Sequence, residues 1–369
     1  MKLSILQEDL FKALSTVSRF ISSRAQLPIL SNVLLEAGNG KLRLAATNLE
    51  MGISLQVGAK VEEQGSLTVP AKMFLELVAS LPSGKIDLTE DKDKLLVASP
   101  SFSAELSGIP SVEFPQIPDI IPPSNFTLPL DVLGEIASQV SFSSSQDETR
   151  PQLTGVLLLM DEKLKAVATD GFRLSLKEFG FKGDSLATRK FLIPARALDE
   201  LTKVINPLTE RVEVALLEKE GQMIFGAEDV VLTGRLLEGE FPDYNRIFPK
   251  SKNHSARVGK EDLARAVKTA AVFARESASV IKMSLDKDKV TVSSESAGYG
   301  KDEAVLDAKT EGEPVSIAFN YRYVLDFLAS IKGEEVLFET EAADRPGVFR
   351  DSKDDSYTHL IMPVRLPNP

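Results

Sequence analysis

The sequence of 369 residues contains no cysteine, no tryptophan and two histidines. Without thiols no disulfide or thiolate metal site can form, which agrees with a reducing compartment. With only His254 and His359, a histidine-built zinc site or a Ser-His-Asp triad has almost no material. Long apolar runs are also missing. Nothing approaches the roughly 18 residues of a membrane span, and Glu8 and Asp9 interrupt the stretch where a secretory signal would need apolar residues. These absences lead us to expect a cytoplasmic protein with no membrane partner, no metal and no cofactor. P-loop, nucleophile-elbow and calcium-loop patterns are absent, and the acidic pairs Asp91/Asp93 and Asp354/Asp355 lie in lysine-rich, turn-like segments, so a hydrolase finds little support. Positive charge is the last scarcity. There are 43 Lys and Arg against 54 Asp and Glu, a net charge of −11 that opposes nucleic-acid binding by the surface as a whole.

What the chain has is repetition. "LTVPAKMFLELVASLP" from Leu67 and "FLIPARALDELTKVIN" from Phe191 share a strand, a proline, an alanine, a basic residue and an amphipathic helix, and "IAFNYRYVLDFLASIKG" from Ile317 is a looser third copy. "KLRLAATNLEMGISL" from Lys41, "KLKAVATDGFRLSL" from Lys163 and "KVTVSSES" from Lys289 recur at the same interval, roughly 120 residues, which suits whole domains rather than solenoid units. Punctuation at Pro122-Pro123 and around Lys252 divides the chain into 1–123, 124–251 and 252–369. Each repeat reads as short alternating strands plus two helices, an α+β domain with antiparallel sheet. The Thr169-Asp170-Gly171 stretch, which resembles an active-site loop, has a twin in Thr47-Asn48. A catalytic motif is seldom written twice, so a hairpin turn is an equally good reading.

The helix windows 7–21, 70–81, 129–142, 194–206, 259–276 and 320–332 hold equal numbers of basic and acidic residues, so the net charge resides elsewhere. Opposite their apolar stripes, Lys12 and Arg19, then Arg196 and Lys203, then Arg265, Lys268 and Arg275 form basic faces. The window from Pro129 breaks the pattern, carrying Asp131 and Glu135 and no basic residue. Val272 falls among the basic positions of its helix and suggests a partner surface. An acidic protein can thus present one basic face, or serve as a repeat-domain adaptor for proteins alone.

The tripled cassette, "LPILSNVLLEA" from Leu27, "ATNLEM", "VATDGFRL", "GEFPDYNRIFP" and the terminal "IMPVRL" together closely resemble the beta subunits of bacterial DNA polymerase III, the replicative sliding clamps, over essentially the full length. The resemblance implies the DNA clamp fold, in which three similar domains form half of a head-to-tail homodimeric ring. It also implies a non-catalytic processivity factor around duplex DNA, without sequence preference. Implied partners are the polymerase III alpha subunit, the clamp loader, and other polymerases and repair proteins carrying clamp-binding peptides. It places Leu153, Thr169, Gly171, Phe172, Arg173, Leu174, Pro242, Arg246, Ile247, Leu360, Ile361, Met362, Pro363 and Val364 in a partner-peptide pocket, and Arg24 and Gln146 on the DNA path with the basic helix faces. Val272 and Phe273 fall on the interface helix, opposite an edge strand near Ala104 and Leu106 of the other copy. Phe172, and the Pro367-Asn368-Pro369 that extends past the usual ending, bear on pocket selectivity.

Overall fold

A computed structural model describes residues 1–21, 27–123, 126–180 and 189–365. Six α-helices occur among them: α1 Gln7–Val17, α2 Ala71–Ser80, α3 Leu130–Gln139, α4 Ala195–Val204, α5 Lys260–Ala274 and α6 Tyr321–Ser330. They fall within the six expected windows, two to a repeat. Helix α1 stops at Val17 and continues as a 3₁₀ turn over Ser18–Phe20. The seven-residue spacing of Lys12 and Arg19 therefore does not lie on one continuous α-helical face, because a 3₁₀ turn has 3.0 residues per turn rather than 3.6. No helix among the described residues is long and apolar enough to cross a membrane.

The chain forms two compact units, Met1–Leu133 with Asp199–Leu236, and Gly134–Leu198 with Leu237–Pro369. The first holds a five-stranded sheet, from Lys60–Glu63 at one edge to Phe102–Ser107 at the other, and a nine-stranded sheet. The second holds a twelve-stranded sheet. All pairings are antiparallel, and the central repeat gives strands to both units. In the first unit, Met51–Gly58 of the first repeat pairs with Val230–Arg235, the last strand of the second, from Met51↔Gly234 to Leu55↔Val230. In the second unit, Arg173–Phe179 of the second repeat pairs with Asp354–Ile361, the last strand of the third, from Arg173↔Ile361 to Lys177↔Tyr357. The two joints use the same strand of each repeat and extend by the same backbone hydrogen bonding.

The cores follow from strand alternation and helix periodicity. The third repeat buries Leu263, Val267, Ala270 and Ala274 of α5 with Val324 and Phe327 of α6 against Ile281, Val292, Phe319 and Phe338. Phe319 meets Phe338 and Phe349 edge to face at 5.9 and 5.5 Å, the arrangement that ring quadrupoles favour. In the first repeat a smaller cluster of Ile29, Leu30, Leu34, Ala45 and Phe114 is capped by Ile109 and Ile117.

Candidate partner-peptide pocket and nucleic-acid face

The turn that ends the strand Leu164–Thr169 is held by its own side chains. Thr169 accepts the Gly171 amide at 3.1 Å and donates its hydroxyl to the Arg173 carbonyl at 2.6 Å, while Asp170 Oδ1 accepts the Phe172 and Arg173 amides at 2.8 and 3.0 Å. Gly171 takes φ +93°, where a side chain would strain the backbone. The first repeat builds the same turn atom for atom. Thr47 accepts the Leu49 amide and donates to the Met51 carbonyl, and Asn48 Oδ1 accepts the Glu50 and Met51 amides. The loop is thus a repeated turn and not a catalytic device; Thr169 is buried and spends its hydroxyl on the backbone.

Beside this turn an apolar cluster gathers residues from distant segments. Leu157, Val167, Leu174, Leu192, Phe241, Tyr244, Val348 and Leu360 are buried together, with Ile247 and Phe248 packed on them. Leu174 and Leu360 therefore form a floor, not an exposed wall, and Leu153 is buried likewise in the turn Pro151–Leu153. Above it, Phe172 is 60% and Met362 39% exposed, with Pro242 and Arg246 in the open and Pro363 and Val364 half-buried. The Met362 amide donates to the Phe172 carbonyl at 2.8 Å, and the Val364 amide to Ala318 at 2.8 Å, fixing the C-terminal segment along the turn. Ile361 departs from expectation. Strand alternation turns it away from Leu360 into the core of the third repeat, so it does not line this surface.

Several residues of the site escaped the sequence reading. Phe241 and Tyr244, edge to face at 6.5 Å, lie inside the quoted "GEFPDYNRIFP" yet act as its buried anchors; burial raises the Tyr244 phenol pKa, with Lys165 opposing. Arg150 stands over Gly171, its Nη1 3.7 Å from where a Cβ there would be. The signal for it was present: Asp147-Arg150, Asp170-Arg173 and Asp243-Arg246 repeat one Asp-x-x-Arg spacing and form ion pairs at 3.1, 3.1 and 2.8 Å. Tyr323 of α6 is the fourth omission. Burial, then the Asp170 carboxylate, raises its phenol pKa.

On the helices, Lys12, Arg19, Arg196, Lys203, Arg265, Lys268 and Arg275 are all exposed. Part of this charge is neutralised locally. Glu200 pairs with Arg19 at 3.5 Å and Lys203 at 3.0 Å, and Asp262 lies 3.6 Å from Arg265; Arg275 has a neutral partner instead, the Tyr321 hydroxyl. Gln146 is exposed in its loop, and Arg24 lies outside the described residues, as does Pro367-Asn368-Pro369. The acidic exception, α3, has a structural reason: Glu135 is the counter-ion of Lys177 at 3.3 Å and Lys332 at 3.1 Å.

Val272 is 61% exposed and Phe273 half-buried on α5, Phe273 packing near Gly300. On the edge strand Phe102–Ser107, Ala104 is half-buried, whereas Leu106 is buried at 7% exposure, so what the edge leaves open is backbone rather than the Leu106 side chain. The strand Gly300–Glu311 pairs along Gly300–Asp307 with Lys289–Ser296, and only from Ala308 onward with His254–Gly259 on its other side.

Comparison with known proteins places these features in a family. Residues 1–118, 127–243 and 245–365 match the family models described as DNA polymerase III beta subunit N-terminal, central and C-terminal domains. A Beta sliding clamp of Synechococcus elongatus is 32% identical over 99% of this chain and 100% of its own length. The crystal structure of a DNA polymerase sliding clamp from Bacillus subtilis is 28% identical, covers 100% of both chains and superposes with a TM-score of 0.94. A sliding clamp of Pseudomonas aeruginosa bound to griselimycin, 27% identical over 99% of this chain and 100% of that one, superposes at 0.92.

Proposed function

Since the chain belongs to the family of DNA polymerase III beta subunits, the beta sliding clamps, we propose which of its residues do a clamp's work. The function itself is that of a non-catalytic processivity factor: a homodimeric ring that binds duplex DNA and tethers polymerase and other replication proteins. The exposed cations Lys12, Arg19, Arg196, Lys203, Arg265, Lys268 and Arg275, on or at the ends of α1, α4 and α5, contact phosphate with Gln146 and Arg24 without reading bases. The cluster under Phe172 and Met362 takes the apolar end of partner peptides, with Arg246 and Arg150 at its rim. The ring acts in the cytoplasm, with domain limits at 123/124 and 251/252.

One observation carries the ring. Each internal joint pairs the strand after the repeated turn with the last strand of the next repeat. The third repeat's corresponding strand is Gly300–Glu311, open along Gly300–Asp307, and the first repeat's last long strand, ahead of the two-residue Ile109–Pro110, is the edge Phe102–Ser107. Two unused edges of the kinds that pair internally fit a head-to-tail contact with a second copy, with Val272 and Phe273 beside it. Loaded by a clamp loader onto nicked circular DNA, the protein is expected to survive a high-salt wash and leave once the circle is cut. Phe273→Asp is expected to weaken the joint by about 3 kcal/mol through lost aromatic packing and an unpaired charge, read by light scattering as a shift to monomer. Equal retention on circular and linear DNA would overturn topological holding.

A further inference from the structure

Arg173 is among the residues that the family resemblance assigns to the peptide pocket, yet its guanidinium is already engaged within the chain. Nε donates to Asp170 Oδ2 at 3.1 Å, Nη2 to the Phe142 carbonyl at 2.8 Å, and Nη1 to Asp326 on α6. The Phe142 ring lies 5.4 Å and the Tyr323 ring 4.6 Å from its central carbon. Its side chain is 12% exposed. A guanidinium with charge-assisted partners on all three nitrogens and aromatic rings within cation–π reach would have to abandon strong contacts to meet a ligand. The twin turn adds a control built into the molecule. Thr47–Met51 forms every backbone bond of Thr169–Arg173 with methionine in the arginine's place. Arg173 is therefore not needed to make the turn.

We infer that Arg173 is a positioning residue of the partner pocket, fastening the Asp170–Arg173 turn to α6 so that both movable rims of the pocket are held in register. The chain of contacts runs from Asp326 through Arg173 to Asp170, whose other oxygen holds the Phe172 amide, and from the Phe172 carbonyl to the Met362 amide. Phe172 and Met362 are the exposed apolar groups of the site, so losing the anchor leaves them free to wander and raises the ordering cost of binding. The inference rests on the pocket assignment above and deepens it.

The test uses the full-length dimer and a fluorescent peptide with a glutamine followed by a Leu-Phe apolar end. Met362→Asp reports on the pocket itself: unchanged affinity there would overturn the pocket assignment, and with it this inference. With the pocket upheld, Arg173→Met is expected to weaken binding about tenfold and Asp326→Asn about three- to fivefold, although Asp326 lies on α6 and is half-exposed. The double variant should bind within about twofold of Arg173→Met alone, and Asp326→Glu should restore near-native affinity. In the free protein, both weakening variants should speed hydrogen exchange at the Phe172 and Arg173 amides, which a peptide contact would leave unchanged. If Asp326→Asn binds as well as the native protein or better, or if the two losses simply add, Arg173 is a peptide contact and the inference is wrong.

Discussion

The two internal joints share backbone geometry and differ in the side chains at three matching register positions. At corresponding register positions, the first unit pairs Met51 with Gly234, Ile53 with Leu232 and Leu55 with Val230, whereas the second pairs Arg173 with Ile361, Ser175 with His359 and Lys177 with Tyr357. One joint is greased, the other hydrogen-bonded. Ser175 meets Ser143 and His359 Nδ1 at 2.8 Å each, Tyr357 reaches Ser330 at 3.0 Å, and buried Lys177 joins Asp354 and Glu135. Backbone pairing with apolar packing is enough to fuse two repeats, as Ile53 and Leu232, both buried, show. The polar joint adds direction: its partners must be met in one arrangement or leave buried polar groups unsatisfied. That is the joint beside the proposed partner pocket, where the position of a turn matters.

The largest test of this contrast is Lys177→Met. It removes the cation shared by Asp354 and Glu135, leaving Lys332 to serve Glu135 alone. Burial works against the Asp354 carboxylate, and hydrogen bonds from Lys177 and Ser356 more than offset it, holding its pKa below the usual value. Because both carboxylates keep partial solvent contact, we expect a loss of about 2–4 kcal/mol, less than for a fully buried pair, in denaturant unfolding. Adding Asp354→Asn should recover part of it. Leu55→Ala, at the matching position of the apolar joint, should cost about 1 kcal/mol, since Leu55 is only half-buried. A Lys177→Met variant as stable as the parent would show the two joints to be energetically alike.

Acid sharpens the contrast next. His359 is fully buried, stacked 5.4 Å from Phe327, and its Nε2 has no partner among the described residues. Burial, assisted by the Arg173 charge, pushes its pKa down from 6.5 to about 3. A depressed folded value means the unfolded chain binds the extra proton first, so the stability is whole above pH 6.5 and drains as pH falls toward 3. The slope is about 1.4 kcal/mol per pH unit, or roughly 2 kcal/mol between pH 6.5 and 5. The paired carboxyl groups contribute only lower, since their unfolded values are 4.5 or less. The matching residue of the other joint is Leu232. His359→Leu should flatten the slope in that window while leaving the pH dependence below 4.5 in place; an unchanged slope would assign it elsewhere.

How much of this the sequence disclosed depends on whether the signal was local. The repeated cassettes, the six helices and the twin turns were legible because proline, glycine and apolar spacing act within a few residues. Ile361 was misjudged because the alternation of its strand decides which core it enters, and that needs the register with Arg173. The acidic face of α3 looked anomalous because its cations, Lys177 and Lys332, are remote in sequence. Leu106 lies on an edge strand, as expected, but its side chain is buried, a placement set by that strand's alternation. The fused sheets were invisible, since nothing in a strand's composition names its neighbour across a joint.

The smallest expected effect lies in the twin turns themselves. Their third residues are Leu49 at φ +74° and Gly171 at φ +93°, both in the region that penalises a side chain. Leu49 is largely exposed, so it gains little from burial to offset that strain. Leu49→Gly relieves a left-handed cost of about 1–2 kcal/mol and incurs about 0.5–1 kcal/mol of extra chain entropy, for a net gain of a few tenths to about 1 kcal/mol. Gly171→Ala runs the other way. The added Cβ would meet only Arg150 at 3.7 Å, ordinary contact, so its cost is backbone strain alone, about 1 kcal/mol. The two midpoints should therefore move in opposite directions in denaturant, by similar amounts. Peptide affinity should stay within about twofold for Leu49→Gly, whose turn carries Met51 where the other carries Arg173 and lies outside the proposed pocket, a factor of two being about 0.4 kcal/mol. Midpoints moving together would mean that the identical hydrogen bonds conceal different backbone strain, and the two turns would be twins in drawing only.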